Sequence, residues 1–598
     1  MTATTGAFQR RSPGARPHGR LAIVAAILLL AAAVRLWGIR YGLPWLFYFH
    51  DEPQIVLRAL RFGTGDLNPH FFIWPGTLLL YLAFASYVAL FAVGRLLGWW
   101  AGKEAFAAAY FRDPTAFYLL PRLQSVAFGV WTVWLAWGFG AAAYSTPVGL
   151  AAALGLALHG LHAHYSHLVH PVTAMTAFTV LGLWAAWRTA TGGRPRVLHL
   201  AALAAGLGAL VQYHAALLAV PAAVAVAYRV AGARGAERLR WLLHGMLAAL
   251  LAVGVFLALS PYVVLDFHTF RADLTWIAGK VEGHAGGPRP GLLAGLALFW
   301  AGCLRPTLHL PLALAAGVGV LVALVRRTRA DVLLLAYGAA YLLLASRASS
   351  LNDRYALPLV VPALLLTARA VEAALARLGE GPGSGGSQPG PGSPAWPGSL
   401  RGRLWAVPLA VVALSLPSVT ELVETDWTMT REDTRVAALR WFEGHVPEDQ
   451  KVVIDMLRFW NSASPPLAEN RACLERRIAE VEHGLSGGGH SSVYADYYRF
   501  RLEHLHHPAY DLRGTEMGQA LPPLDSLRRE GFRWVVVSES AVQLQASRAA
   551  AGDSTGLRWY RALDRDARQV AEFAPRPWVR RGPRITIYRL DPPSRERP

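Results

Sequence analysis

The feature that most constrains this chain is a series of apolar runs, each about twenty residues long, separated by short polar segments. About twenty helical residues match the hydrocarbon thickness of a bilayer, so a chain built this way folds across a membrane. Candidate spans lie at 21–37, 73–97, 122–143, 148–164, 172–188, 198–213, 215–230, 241–262, 306–325, 331–346, 355–377 and 404–420. A shorter run, 291–303, is expected in the interface. Composition agrees: 54% of residues are hydrophobic and 16% charged, where a soluble domain carries about a quarter charged residues. Collagen-like, disordered and disulfide-scaffold chains are excluded. The formal charge of +19 is almost all Arg, since Lys103, Lys280 and Lys451 are the only lysines. The Arg residues sit between apolar runs, as the positive-inside rule expects, so the charge does not indicate nucleic acid as a partner. Arg10, Arg11, Arg16 and Arg20 precede LAIVAAILLLAAAV without a small-residue cleavage site, which reads as a retained first helix. Cys303 and Cys473 pair only if the fold brings them together.

The Arg clusters test the topology. If every run spans from a cytoplasmic N-terminus, Arg188, Arg194, Arg196 and the RRTR run at 326–329 fall outside. If 73–97 instead dips in and returns, or lies along the interface, these clusters fall inside. So do Arg229, Arg234, Arg238, Arg240, Arg401 and Arg403. That reading gives about eleven spans. It puts the polar and aromatic segments 38–121, 159–171, 212–215, 262–305 and 346–355 together on the outer face, with the C-terminal domain. The length of 73–97 argues the other way, because such a run is long enough to cross.

Four regions follow. Residues 1–378 form a transmembrane domain, and 379–403 open with the Gly/Pro/Ser tract GEGPGSGGSQPGPGSPAWPGS, a flexible cytoplasmic linker. Residues 404–420 make the last span, and 421–598 an outer domain. In that domain TREDTRVAALRWFEGH and LDSLRREGF have helical period, while KVVID, RWVVVS, RQVAEFAP and RITIYRL read as strands. Helix–strand alternation predicts a helix-covered sheet. No GxGxxG, GxxxxGK[ST] or GxSxG occurs in the required context, so no nucleotide site or hydrolase elbow is expected.

The segment YFHDEPQIVLRALRFGTGDLNPHFF, 48–72, carries the sharpest chemical signal. Asp51 and Glu52 are adjacent carboxylates just after the first span. Pro53 suits the first turn of a helix, which places Glu52 at the N-cap with Asp51 before it. Arg58 lies two turns on, along the same face. A carboxylate beside an Arg suits group transfer, the first taking a proton from an acceptor and the second stabilising a leaving phosphate. The same spacing also fits a capped interfacial helix with a surface ion pair.

FHDEPQ after a first span resembles the Asp-Glu motif of the polyprenyl-phosphate-sugar-dependent glycosyltransferases of family 39, relatives of the protein O-mannosyltransferases. NPHFFIWPGTLLLYL at 68–82, LLPRLQSVAFGVWTVW at 119–134 and NDRYALPLVVPALLL at 352–366 are similar to further segments of that family, in the same order. DTRVAALRWFEGHVPEDQKVVID looks like the extracytoplasmic tail of bacterial members. The resemblance implies a mainly α, polytopic GT-C fold with a C-terminal extracytoplasmic α/β domain in the cytoplasmic (inner) membrane. It implies transfer of one sugar, with inversion, from an isoprenoid phosphate or pyrophosphate carrier to a protein, lipid or glycan acceptor outside that membrane, with lipids as surroundings and no cofactor. Asp51 would be the general base, Glu52 would position acceptor or sugar, and Arg122 and Arg354 would face the carrier phosphate. Arg58 and His70 are weaker candidates for that contact. Two departures stand out: HPVT at 170–173 lacks an Asp that many members carry, and Gln212-Tyr213 lacks a Lys before the Tyr.

HGLHAHYSHLVH brings His159, His162, His164, His167 and His170 close together. His159, His162, Ser166 and His170 share one face if a helix continues through them. With no carboxylate or Cys nearby, a divalent metal is not indicated. Acceptor or phosphate contact by His167, His170, Gln212 and Tyr213, or interfacial polarity alone, are the other readings. Trp45, Tyr48 and Trp74 suit stacking on sugar or an interfacial aromatic belt. A transporter or flippase is the alternative function, but no internal repeat is visible and the polar residues gather at one face. A non-catalytic scaffold is a third.

Overall fold

The computed structural model describes residues 17–45, 51–74, 76–282, 291–348, 351–378, 400–455, 463–486, 492–514, 522–550 and 552–591. Most of the expected linker at 379–403, as well as Arg10, Arg11, Arg16 and Tyr48, lies outside the described residues. The architecture is a large helical bundle followed by a small α/β domain. The first part runs α1 (Pro17–Leu36), α2 (Glu52–Arg61), α3 (Thr77–Leu96), α4 (Lys103–Arg112), α5 (Thr115–Ala143), α6 (Thr146–Ala157), α7 (Gly160–Ser166), α8 (Pro171–Ala190) and α9 (Pro195–Ala209). A 3₁₀ turn, Tyr213–Leu218, leads to α10 (Ala219–Gly232), then α11 (Ala236–Leu259), α12 (Tyr262–Leu265) and α13 (Phe267–Glu282). The bundle closes with α14 (Leu292–Phe299), α15 (Arg305–Arg326), α16 (Arg329–Ala345), α17 (Leu357–Leu378), α18 (Leu400–Leu414) and α19 (Leu416–Met429).

Seven described helices are long and apolar enough to cross a membrane, or nine if each of two bent pairs is one span. The bends are 60° between α6 and α7 and 68° at Ser415 between α18 and α19. The last apolar run, expected at 404–420, is therefore split, and its second half continues as a helix carrying Glu421, Glu424 and Asp426. The run at 291–303 is not a separate interfacial piece, because α14 joins α15 through a π turn, Trp300–Leu304.

Small residues set the tightest helix contacts. A Cβ on Gly140 of α5 would stand 2.8 Å from the Gly149 Cα of α6, so these helices pack backbone on backbone. In a bundle with little hydrophobic drive between helices, such close approach supplies the dispersion contacts. At one end of the bundle α16 starts with a capping box, the Thr328 side chain taking the Asp331 N–H. Asp331 is closed by Arg369 at 2.8 Å and the Tyr144 hydroxyl at 2.8 Å. Arg188, Arg194, Arg196, Arg229, Arg326, Arg327 and Arg329 belong to the helix ends and turns of this face.

The opposite face carries the α/β domain. Helix α3 is one unbroken helix, so it does not dip in and return. Gly76 N donates to Val211 O (3.3 Å), and Thr77 lies against Ser260 (3.4 Å), which puts the start of α3 beside the ends of α9 and α11. Gln124 reaches Leu82 O, and the Tyr87 hydroxyl donates to Phe117 O, so α3 climbs back toward the beginning of α5. Beyond it, Phe111 of α4 stacks on Phe500 of the α/β domain at 5.1 Å. Both ends of α3 stay on the domain face. By length and apolar composition α3 is itself one of the seven helices able to cross a membrane, while α9 is a shorter apolar helix.

In the α/β domain α20 (Thr434–His445) leads to β1 (Lys451–Ile454), α21 (Arg471–Ser486), α22 (Ser492–Glu503) and β2 (Asp511–Gly514). Next come α23 (Leu524–Arg529), β3 (Trp534–Ser538), α24 (Glu539–Ala550), α25 (Thr555–Asp566), β4 (Arg568–Phe573) and β5 (Ile585–Arg589). The sheet order is β2-β1-β3-β5-β4, the first three strands parallel and the last two antiparallel. Buried Val452, Ile454, Val536 and Ile587 pack one face of it against Leu439 and Phe442 of α20. Cys303 and Cys473 are both buried and unpaired.

Candidate active site

Three elements meet on the domain face: the start of α2, the start of α8, and the 3₁₀ turn Asp353–Ala356 before α17. Asp51 is the N-cap of α2, one residue earlier than the sequence suggested, and its side chain makes no capping bond. The carboxylate points instead toward His170, with Nε2 to Oδ2 at 3.5 Å, and Arg354, with Nη2 to Oδ2 at 3.6 Å. His170 is the N-cap of α8, its Nδ1 accepting the Val172 N–H at 3.2 Å. With Nδ1 as acceptor, the neutral ring carries its proton on Nε2, facing Asp51. Pro171 at the first helical position fixes this entry. The helix does not continue through the His run. The chain breaks after Ser166 and restarts at Pro171, so the five His residues do not share one helical face.

Glu52 and Arg122 form a second, closed layer. Arg122 Nε and Nη2 grip the two Glu52 oxygens at 2.8 and 2.7 Å, and Glu52 also accepts the Val169 N–H at 2.9 Å. Arg122 Nη1 donates to the Ile39 and Tyr41 carbonyls at 2.7 and 2.8 Å. Glu52 is 3% and Arg122 2% exposed. A carboxylate buried at this depth needs a full countercharge, and that need occupies the guanidinium. Both side chains are closed on each other and on backbone groups, so the sugar contact expected of Glu52 and the phosphate contact expected of Arg122 would require this pair to open.

The other expected residues are placed around this centre. Arg58 turns back on the Gln54 carbonyl at 3.0 Å and lies 4.1 Å over the Phe71 ring. His70, at φ +46°, bridges Asp66 at 3.1 Å and Asp266 at 3.3 Å. It clips the first outer loop to the one after α11. Partial burial pushes both carboxyls up, but N–H and amide donors and the His70 ring outweigh it, holding both below their ordinary values. The Tyr213 hydroxyl donates to Phe72 O at 2.8 Å, and Gln212 caps that 3₁₀ turn. His167 is buried against the end of α1, with Nε2 2.9 Å from Trp37 O and 3.6 Å from Asp426. Sequence reading missed Tyr165 and Asp353. The Tyr165 hydroxyl donates to Asp353 at 3.3 Å, its ring lies 5.0 Å from His170, and Trp74 covers His170 from another side at 6.5 Å. NDRY, with an Asp beside the Arg, was the available signal for Asp353.

This arrangement presents a carboxylate, 13% exposed, between an imidazole N–H and a guanidinium. It can accept a proton from a hydroxyl while the cation stabilises a departing anion. Among the described residues no three His, Cys, Asp or Glu side chains converge on one point.

Residues 118–264 match the family described as dolichyl-phosphate-mannose-protein mannosyltransferase. The match covers Arg122, His167, His170, Gln212 and Tyr213 but stops short of Asp51 and Arg354, and it bears out the family resemblance over that segment. No curated protein matches the chain. Among solved structures, the chain is similar to the oligosaccharyltransferase AglB from Archaeoglobus fulgidus in complex with an inhibitory peptide and a dolichol-phosphate. That likeness has 13% identity and a TM-score of 0.44, covering 93% of this chain and 73% of that one. It is also similar to ArnT from Cupriavidus metallidurans bound to undecaprenyl phosphate, at 13% identity and a TM-score of 0.47, covering 96% and 98%.

Proposed function

We propose that this chain is a membrane glycosyltransferase that moves a sugar from a polyprenyl-phosphate carrier to an acceptor on its domain face. The observation that carries this reading is Asp51, partly exposed between His170 and Arg354, with its sequence neighbour Glu52 in the closed pair with Arg122. The match of residues 118–264 to the mannosyltransferase family supports the class of reaction.

An acceptor hydroxyl is a weak nucleophile at neutral pH. Asp51 takes its proton as the bond to the anomeric carbon forms. His170 Nε2–H, Arg354 and the N-terminus of α2 all stand against the Asp51 carboxylate. Arg354, 3.6 Å from Asp51, is the guanidinium assigned to the departing phosphate, whose developing charge it stabilises. Attack from the side opposite the phosphate inverts the anomeric centre, and no second carboxylate is needed as nucleophile. Trp74 and Tyr165 offer aromatic walls for the sugar. Glu52 and Arg122 act through Asp51 as positioning residues, fixing the first turn of α2. The site and the α/β domain face the outside of the cytoplasmic membrane, with the Arg-rich face inside. The test is mass spectrometry of carrier-linked sugars and envelope glycans from cells with and without the chain. Loss of one glycan with build-up of its carrier-linked sugar supports the reading, and unchanged profiles of both would overturn it.

A further inference from the structure

A cavity of about 570 Å³ lies where the bundle meets the α/β domain. Tyr41, His164 and Leu168 wall it on the bundle side, Glu424 on α19, and Arg576, Arg580 and Arg581 on the turn between β4 and β5. Its lining includes none of Asp51, His170 and Arg354, although residues of its wall or next to it hold the closed pair. Val169 follows Leu168 and donates to Glu52, and the Tyr41 carbonyl accepts from Arg122.

The cations here are not balanced. Arg435, also in the lining, is closed by Asp433 at 2.7 Å. Arg580 lies 3.8 Å from Glu432, which already holds Arg440 at 2.6 Å. The one lining carboxylate, Glu424, accepts the Trp578 N–H at 3.3 Å. Arg576 and Arg581 have no salt bridge within 4 Å to a described residue, although buried Asp426, whose two oxygens have no hydrogen-bond partner among the described residues, is near enough to feel the charge of Arg581. Arg581 lies 4.7 Å over the Tyr41 ring, and its Nη1 is buried without a hydrogen-bond partner among the described residues, as is His164 Nδ1. Buried donors without partners are costly unless a ligand supplies acceptors. A guanidinium fork beside a second Arg fits a group with several oxygens and negative charge, above all a phosphate.

The rim identifies the carrier of that group. Trp578 and Val579 stand exposed at the tip of the turn, and the Trp427 Nε1–H donates to Trp578 O at 2.9 Å. Exposed Leu416, Val423 and Trp427 continue the apolar strip along α19 toward α18 of the bundle. Trp beside Arg at the edge of a helical bundle marks headgroup depth. We propose that this cavity binds the phosphate of an anionic lipid headgroup, with Arg576 and Arg581 as its ligands and Trp427 and Trp578 against the glycerol.

The test uses the detergent-solubilised full chain and measures binding of dihexanoyl-phosphatidylglycerol, dihexanoyl-phosphatidylcholine and inorganic phosphate by titration calorimetry. Phosphatidylglycerol should bind most tightly. Its affinity should fall about tenfold or more in the Arg576→Gln/Arg581→Gln double variant and about threefold in Arg576→Gln alone. Arg576 is exposed, so the single variant keeps the test decisive if the double variant fails to fold. Arg568→Gln, an exposed Arg of the same domain, and Arg354→Ala should leave the affinity unchanged. Undiminished affinity in Arg576→Gln, or equal binding of phosphatidylcholine, overturns the proposal. Inorganic phosphate bound as tightly as the lipid, with the same Arg dependence, overturns the lipid source.

Discussion

Arg122 and Arg354 look alike in the sequence, each at the start of an apolar run, and the structure gives them opposite occupations. Arg122 closes a buried pair, whereas Arg354 stands beside a partly exposed carboxylate. Removing one partner of a buried pair leaves the other charge uncompensated, a loss of about 3–5 kcal/mol. Arg122→Ala and Glu52→Gln should therefore lower the thermal midpoint of the purified protein sharply. An unchanged midpoint together with a raised donor Michaelis constant would return Arg122 to the phosphate. Arg354→Lys should fold normally but lose turnover, since an ammonium cannot make two parallel bonds to a phosphate. Wild-type turnover in Arg354→Lys would reduce that residue to a simple charge. FHDEPQ and NDRY made Asp51 and Arg354 legible, because carboxylate and guanidinium near a helix start have few uses at a membrane face. The Glu52–Arg122 bond was not legible, because a contact across 70 positions depends on how α2 meets α5. His170 was ambiguous for a similar reason: its role as a cap depends on the break after Ser166.

Periodicity and Arg distribution located many elements, including two of the six helices and four of the five strands of the α/β domain. β2, with sequence DLRG, was missed because one apolar residue, Leu512, among Asp, Arg and Gly carries no strand signal, and the sheet next to them supplies the reason to extend. Of the two forms offered for 73–97, a dip-and-return or a run along the interface, the unbroken helix α3 removes the first. A dip-and-return and an oblique helix satisfy the Arg clusters equally well, and only the contacts with Val211, Ser260 and Phe117 separate them. The sheet also hides a titratable group. Asp455, directly after β1, accepts the Ser538 N–H at 3.0 Å and the Tyr560 hydroxyl at 3.1 Å. Burial pushes its carboxyl up to about 8 despite these donors. Between its unfolded value, about 4, and its folded one, the native state holds the extra proton. The stability it contributes is fully present below about pH 4 and is lost as pH rises through 8. Thermal midpoints of the full chain should fall across that window, and Asp455→Asn should flatten the slope. An equal slope in the variant would refute this assignment.

For the whole molecule, the sidedness of the site is the claim that joins sequence and structure. Arg-rich turns collect at one end of the bundle, and Asp51, the loop clip at His70 and the α/β domain at the other. A reporter active only outside the cytoplasm, fused after Asp591, should be active, and one inserted in the 379–399 tract should not. The reverse pattern would invert the protein and remove the site from an external acceptor. The α/β domain is tied to the catalytic layer through Tyr41, whose hydroxyl donates to Asp433 and whose carbonyl receives Arg122. Tyr41→Phe should leave the fold intact and loosen that tie, giving earlier proteolysis between the domains.

The central claim is that Asp51 is the base of an inverting sugar transfer. Its most direct test is turnover of a polyprenyl-phosphate-linked sugar by reconstituted wild-type and Asp51→Asn protein, with carrier binding measured in parallel. The amide keeps the shape and the contacts to His170 and Arg354 but cannot take the proton. Turnover should fall about a hundredfold or more while carrier affinity changes little. Near-normal turnover in Asp51→Asn would contradict the account.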